Sequence, residues 1–262
     1  MKRELTLKES SSGRLDWQKS LGTNYLPPVY SFLSNEEWRI IDKWYLETEQ
    51  KKLIGECGVA ILSVMLGFIM GNRITNILQL GHYAGYSTLL LGFMLRHPGG
   101  ESKLVTLDVD EFCCKYTQGW VNRANLQRYV TVLHGSSTDD DIVHCVRRIF
   151  NNRLELVFID SSHEYGQPVK ELDTWFKVLS EGGFIFLHDS SKLAASFDAT
   201  NEGGVKRAID EWYRQNPEVQ MINISASIDT VENRKANSTA RPELIYKDPC
   251  GLCIIQKQYL RR

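Results

Sequence analysis

From about position 75 the apolar residues fall into short runs separated by longer helical patterns. Asn76 to Leu80 reads as a short buried strand, and Ser87 to Leu91 opens an apolar helix. Between them lies Gly81-His82-Tyr83-Ala84-Gly85, a turn with a glycine at each end. Strand, glycine turn and helix in that order make the first half of a βαβ unit. Three further strands, Lys103–Asp108, Glu155–Asp160 and Gly183–Asp189, each end in an acid; a fourth, Val130–His134, runs into Gly135-Ser136-Ser137. Helical patterns separate them, notably over 168–179 and over 205–215, where Ala208, Ile209 and Trp212 share a face. The alternation predicts an α/β fold, a Rossmann-like doubly wound and mostly parallel sheet. Residues 219–224 and 252–256 read as two closing strands, an antiparallel pair, with a polar surface excursion over 229–249 between them.

Upstream, residues 1–34 are polar and broken by glycines and by Pro27-Pro28, which predicts an arm or lid outside the core. Ser34-Asn35-Glu36-Glu37 has the form of a capped helix start, and Trp38, Ile41, Trp44 and Tyr45 follow at helical spacing as core residues. The expected organisation is a lid-like arm and helix over 1–52, then a cofactor-binding domain over 53–262. The loop over 190–204 is too long for a plain connector and is expected to act with the arm as a lid.

Composition narrows the class. A formal net charge of -1 gives no basic field for nucleic acid, and 42% hydrophobic residues suffice for an ordinary core. Six scattered cysteines are too few for a disulfide scaffold and fit a reducing compartment. Cys250-x-x-Cys253 falls near the last strand, where neither a thioredoxin-type site nor a zinc site is expected. The N-terminus has no signal-peptide core, and Leu53 to Met70, interrupted by Glu56 and three glycines, predicts a buried helix and not a membrane span. A cytoplasmic, homo-oligomeric protein is expected, with no membrane partner and no nucleic acid. Asn223-Ile224-Ser225 and Asn237-Ser238-Thr239 match a glycosylation pattern only.

In a doubly wound sheet ligands lie beyond the carboxyl ends of the strands, where the acids gather. The G-x-x-x-G spacing of the turn differs from that of pyrophosphate binders. With Asp108 placed to accept ribose hydroxyls, it suggests an adenosine-type cofactor, which His82 within the turn could touch. Asp160 and Asp189 are expected to end neighbouring strands, where two converging carboxylates suit Mg²⁺ or a similar ion; His188 or Ser190 could add a ligand. His163, three residues past Asp160, is placed to take a proton from a hydroxyl. His97, His134 and His144 carry no such context.

Leu80 to Ser87 resembles the first motif of class I S-adenosylmethionine-dependent methyltransferases, closest to the catechol O-methyltransferase type. Phe158 to Tyr165 and Gly182 to Asp189 resemble a second branch, the cephalosporin-hydroxylase-like proteins and metal-dependent sugar O-methyltransferases. The likeness spans about residues 53–260. It implies an O-methyltransferase that uses S-adenosyl-L-methionine and Mg²⁺ or Mn²⁺ on a hydroxyl of a small molecule, a sugar or natural-product intermediate. The implied cofactor residues are Gln79, Gly81, His82, Gly85, Ser87, Asp108, Ser136, Ser137 and Asp160. Gly81 and Gly85 would line the methionine moiety, and Ser136 or Ser137 the adenine. The implied metal ligands are Asp160, His188 and Asp189, and the implied base is His163. Three positions depart from the pattern: Gln79 stands for the usual acid near the cofactor's amino group, His188 for a second acid, and Ser190 for an asparagine ligand. Two other classes compete. A nicotinamide oxidoreductase would bind NAD(H) and not S-adenosylmethionine, against the glycine spacing; a non-catalytic module would bind cofactor without turnover, against the joint presence of Asp160, His163 and Asp189.

Overall fold

The computed structural model describes residues 12, 26–98, 100–225 and 248–258. A seven-stranded sheet runs through it in the order β3-β2-β1-β4-β5-β7-β6. The strands are β1 Asn76–Leu80, β2 Lys103–Asp108, β3 Val130–His134, β4 Leu154–Ile159, β5 Leu179–His188, β6 Gln220–Ile224 and β7 Leu252–Gln256. The first five are parallel; β7 runs antiparallel to both β5 and β6. The doubly wound sheet and the antiparallel closing pair are those predicted from the sequence. β4 and β5 are direct neighbours, so the acids that follow them emerge side by side.

Alternation along the strands divides the core into two layers. Ile77, Leu104, Leu156, Phe158 and Phe186 face one layer, and Leu78, Leu80, Val105, Leu107, Val157, Ile185 and Leu187 face the other. The first layer is covered by α1 Pro28–Ser31, α2 Asn35–Gln50, α3 Val59–Asn72, α4 Tyr86–Arg96 and α5 Glu111–Arg123. The second is covered by α6 Asp140–Ile149, α7 Gly166–Val178 and α8 Gly204–Gln215. α8 buries Ala208, Ile209 and Trp212, as its spacing requires.

Helix α2 begins at the capped start read from the sequence, and the cap is a capping box: Ser34 Oγ accepts from Glu37 N, and the Glu37 carboxylate accepts from Ser34 N. Trp38, Ile41, Trp44 and Tyr45 are all buried. The apolar stretch after Leu53 yields α3, which buries Ile61, Leu62, Met65, Leu66 and Ile69 against the sheet. Among the described residues no helix is long and apolar enough to cross a membrane.

Two expectations need correction. Residues 1–34 were read as lying outside the core, but Val29, Tyr30 and Leu33 are buried in the first layer. Tyr30 donates to or accepts from Tyr45 at 2.8 Å and also meets the Tyr86 hydroxyl, so a short polar-looking segment is anchored by a tyrosine cluster. The 190–204 loop was read as part of a lid, yet Leu193, Ala194 and Asp198 are buried around a 3₁₀ turn at Ala194–Phe197. Asp198 accepts from the backbone N–H groups of Thr200, Glu202 and Gly204 and ties the loop to the start of α8. Nearly all of the polar excursion over 229–249 and the sequon at Asn237 lie outside the described residues.

Candidate active site

The carboxyl edge of the sheet carries two cavities that share Gly81 and Ser161. The first, about 280 Å³, is bounded by Trp44, Glu56, the glycine turn, Ser87, Asp160 and His163. The second, about 290 Å³, is bounded by Asp108, Ser136, Ser137, Ser162, Gln167 and Glu171. Together they form one elongated cleft with the glycine turn at its waist.

The turn is held from within. Gly81 has φ +79° and Gly85 +88°, both in the left-handed region that favours glycine. A Cβ on Gly81 would lie 2.1 Å from the Asp160 carbonyl oxygen, so glycine also lets the turn approach the end of β4. The N–H groups of His82 and Tyr83 donate to Asp108 Oδ2 at 3.1 and 3.0 Å, and those of Gly81 and Gly85 go to Leu107 O and His82 O. These four amides are therefore engaged inside the protein and are not offered to a ligand. Asp108 Oδ1 accepts from Asp110 N at 3.0 Å. A carboxylate has about four lone-pair sites, so Asp108 anchors the turn and keeps acceptor capacity toward the second cavity.

Gln79 sits beneath the turn, fully buried. Its amide nitrogen donates to Gly81 O at 3.0 Å and Ser87 Oγ at 2.7 Å, and its oxygen accepts from Thr88 at 2.9 Å. It staples β1 to α4 and lines neither cavity, so the structure does not bring it to the cofactor. His82 turns its ring inward, with Nδ1 3.0 Å from Thr106 Oγ1; burial pushes its pKa down to about 4, against the pull of Asp108. Ser137 donates to Glu171, and Ser161 donates to the other Glu171 oxygen at 2.7 Å. Burial raises the Glu171 pKa despite these hydrogen bonds. Ser136 is half-buried beside it at the cavity wall.

At the other end Asp160, His163, His188 and Asp189 converge. His188 Nδ1 lies 2.9 Å from Asp160 Oδ1 and 3.5 Å from Asp189 Oδ2. His163 Nε2 lies 3.0 Å from the same Asp189 oxygen. Burial would lower the His188 pKa, but the charge of Asp160 and hydrogen bonds to Asp160 and Asp248 hold it well above the ordinary histidine range. The hydrogen bond with Asp189 raises the His163 pKa, burial opposing. Asp189 itself sits at φ +58°, a left-handed conformation that Asp tolerates better than most residues.

The donor set fits a divalent ion. Asp160, His188 and Asp189 each offer one ligand atom, all within 4.8 Å of one another. Cis ligands at bonds of about 2.1 Å lie about 3 Å apart, close to the 2.9 and 3.5 Å separations here. An imidazole among carboxylates suits Mn²⁺ and its neighbours as well as Mg²⁺. Ser190 does not join this set: its hydroxyl donates to Asn223 Oδ1 at 2.7 Å.

Four contributors escaped the sequence reading as site residues: Trp44, Glu56, Glu171 and Asp248. Trp44 was read as plain core; its Nε1 also donates to Ala84 O at 2.7 Å and its ring walls the first cavity. Asp248 stands 3.2 Å from His188 Nε2. Its only sequence signal is an acid just before the last strand.

Residues 78–190 match a family described as "Methyltransferase domain". Solved structures share the architecture at low identity. An O-methyltransferase from Bacillus cereus in complex with SAH has a TM-score of 0.65 at 17% identity, over 83% of this chain and 90% of that one. TomG, an O-methyltransferase from Streptomyces achromogenes involved in tomaymycin synthesis and solved with SAM, has a TM-score of 0.63 at 15% identity, over 87% and 91%. An SAH-bound methyltransferase from Podospora anserina has a TM-score of 0.60 at 13% identity, over 87% and 89%. The fold is that of these methyltransferases, and residues 78–190, which carry most of the cleft, match a methyltransferase domain, as the sequence resemblance implied.

Proposed function

We propose that this protein is an S-adenosylmethionine-dependent O-methyltransferase that methylates a hydroxyl of a small molecule, a sugar or natural-product intermediate, with the help of a divalent ion. The observation that carries this reading is the cleft itself. Asp108 and the serines of the second cavity suit a nucleoside, and the acid–imidazole cluster borders the first cavity on the far side of Gly81. The SAM- and SAH-bound relatives in fold support the choice of cofactor.

S-adenosylmethionine supplies an electrophilic methyl group, and a divalent ion held by Asp160, His188 and Asp189 would lower the pKa of a nearby hydroxyl. The chain's own part is to align the reactants and move one proton. Asp189 accepts from His163 Nε2, which leaves Nδ1 as the basic nitrogen that takes the acceptor proton. Trp44 and the glycine turn wall the first cavity and restrict the acceptor's approach.

The test has three parts. Calorimetry should show binding of S-adenosylmethionine and not of NAD(H). A panel of hydroxylated sugars and natural-product scaffolds should yield methyl ethers, with turnover lost in EDTA and restored by Mg²⁺ or Mn²⁺. Binding of NAD(H) alone would favour an oxidoreductase; full turnover after rigorous demetallation would remove the ion and leave methyl transfer standing.

A further inference from the structure

We propose that Asp248 is a positioning residue that sets the tautomer of His188 and so presents its Nδ1 lone pair to the metal; the inference rests on the metal reading above. Asp248 lies outside the matched domain segment, next to β7. Its carboxylate is held on three sides. Oδ2 accepts from Gly58 N at 3.1 Å, just before α3, and lies 3.2 Å from His188 Nε2; Oδ1 accepts from Cys250 N at 2.8 Å. The side chain is 9% exposed, so little solvent competes for it.

A neutral imidazole has one N–H and one lone pair. A carboxylate fixed at Nε2 holds the proton there and leaves the lone pair on Nδ1. Nδ1 is the nitrogen that faces Asp160 Oδ1 and Asp189 Oδ2. Without Asp248 the ring could flip or place its proton on Nδ1, and the third donor would be lost. Gly58 belongs to the same device. A Cβ there would stand 2.4 Å from Asp248 Oδ2, so only glycine lets the carboxylate reach both the helix start and the imidazole. A competing use of the same ring is a thiolate site, because His188, Asp248 and Cys250 also converge within 4.8 Å.

The experiment is Mn²⁺ binding to the full chain, followed by electron paramagnetic resonance and calorimetry without cofactor or acceptor. Asp248→Asn keeps the shape of the side chain and should raise the Kd by about 10–100-fold, the usual cost of losing a partner behind a ligating histidine. Gly58→Ala, which touches neither His188 nor the metal ligands, should also weaken binding and carries the test if Asp248→Asn fails to fold. In the Mg²⁺-loaded parent, ¹⁵N-detected NMR should show His188 protonated at Nε2; in Asp248→Asn that signature should be lost at unchanged melting temperature. Parent protein that binds no Mn²⁺ removes the metal reading and the inference with it. Parent binding with both variants within about twofold overturns the inference alone. Binding lost in Cys250→Ser but kept in Asp160→Asn assigns the ion to the thiolate site and also overturns it.

Discussion

Asp189 Oδ2 lies 3.0 Å from His163 Nε2 and fixes which nitrogen of that ring is free. The pair has the logic of an acid-oriented general base. We predict that His163→Ala lowers the turnover rate by roughly 10²–10⁴-fold. His163→Gln should be nearly as slow, because it keeps size and polarity but cannot carry the proton. Cofactor affinity should stay near the parent's in both. Single-turnover rates with a true acceptor check this; near-normal rates would return His163 to a structural role.

Asp108 holds the turn and faces the second cavity at once. Asp108→Ala should weaken S-adenosylmethionine binding by about 1.5–3 kcal/mol, the range for a lost charge-assisted hydrogen bond. The melting temperature should fall as well, since two turn amides lose their acceptor. Calorimetry and thermal melts report the two effects separately. Unchanged affinity with a lowered melting temperature would leave Asp108 as an anchor only.

Gly81→Ala should be among the most damaging single substitutions. The left-handed backbone costs about 1–2 kcal/mol with a Cβ present, and the added carbon meets the Asp160 carbonyl at 2.1 Å. The turn must move away from β4, which opens the waist of the cleft. Loss of cofactor binding at temperatures where the fold persists is the expected readout; parent-like affinity would show that the turn tolerates the shift.

Glu37 links the start of α2 to the end of α4. It is buried, meets Arg96 Nη2 at 2.5 Å and His97 Nε2 at 2.8 Å, and caps Ser34 N. Burial opposes its charge, but the Ser34 amide, His97 and Arg96 outweigh it and hold the pKa below the usual glutamate value. A depressed pKa means stability that is fully present above the unfolded value and lost as pH falls through the folded one. Glu37→Gln should therefore cost about 1.5–3 kcal/mol near neutral pH, and the gap to the parent should narrow on acidification below the ordinary carboxylate range. Urea melts at several pH values check the slope; a gap independent of pH would show that the charge contributes nothing.

The strands themselves, the acids at the sheet edge and the helical spacing of α2 and α8 were legible because each follows from local periodicity, whereas the strand order was not. The neighbouring placement of Asp160 and Asp189 was legible too, since the βαβ rule constrains adjacent parallel strands. What stayed hidden depends on contacts distant in the chain. Gln79 was read by position in a motif, but its amide turned out to match Gly81, Ser87 and Thr88. His82 was read as able to touch the cofactor from within the turn, yet tertiary packing rotates its ring against Thr106. Segment 26–34 looked polar because its anchors are three residues, Val29, Tyr30 and Leu33, with no periodic pattern to announce them. Asp248 reaches His188 across 60 positions, and no local signal encodes that distance.

That separation has a consequence for biogenesis. His188 leaves the ribosome about 60 residues ahead of Asp248, an interval of about 3–12 s at ordinary elongation rates. During that time β1 to β5 can pair, but β7 is still missing and the imidazole at the edge of β5 has no carboxylate behind it. A nascent chain can thus acquire both cavities seconds before Asp248 joins His188, and maturation of the cleft and of the support behind its imidazole are separable in time.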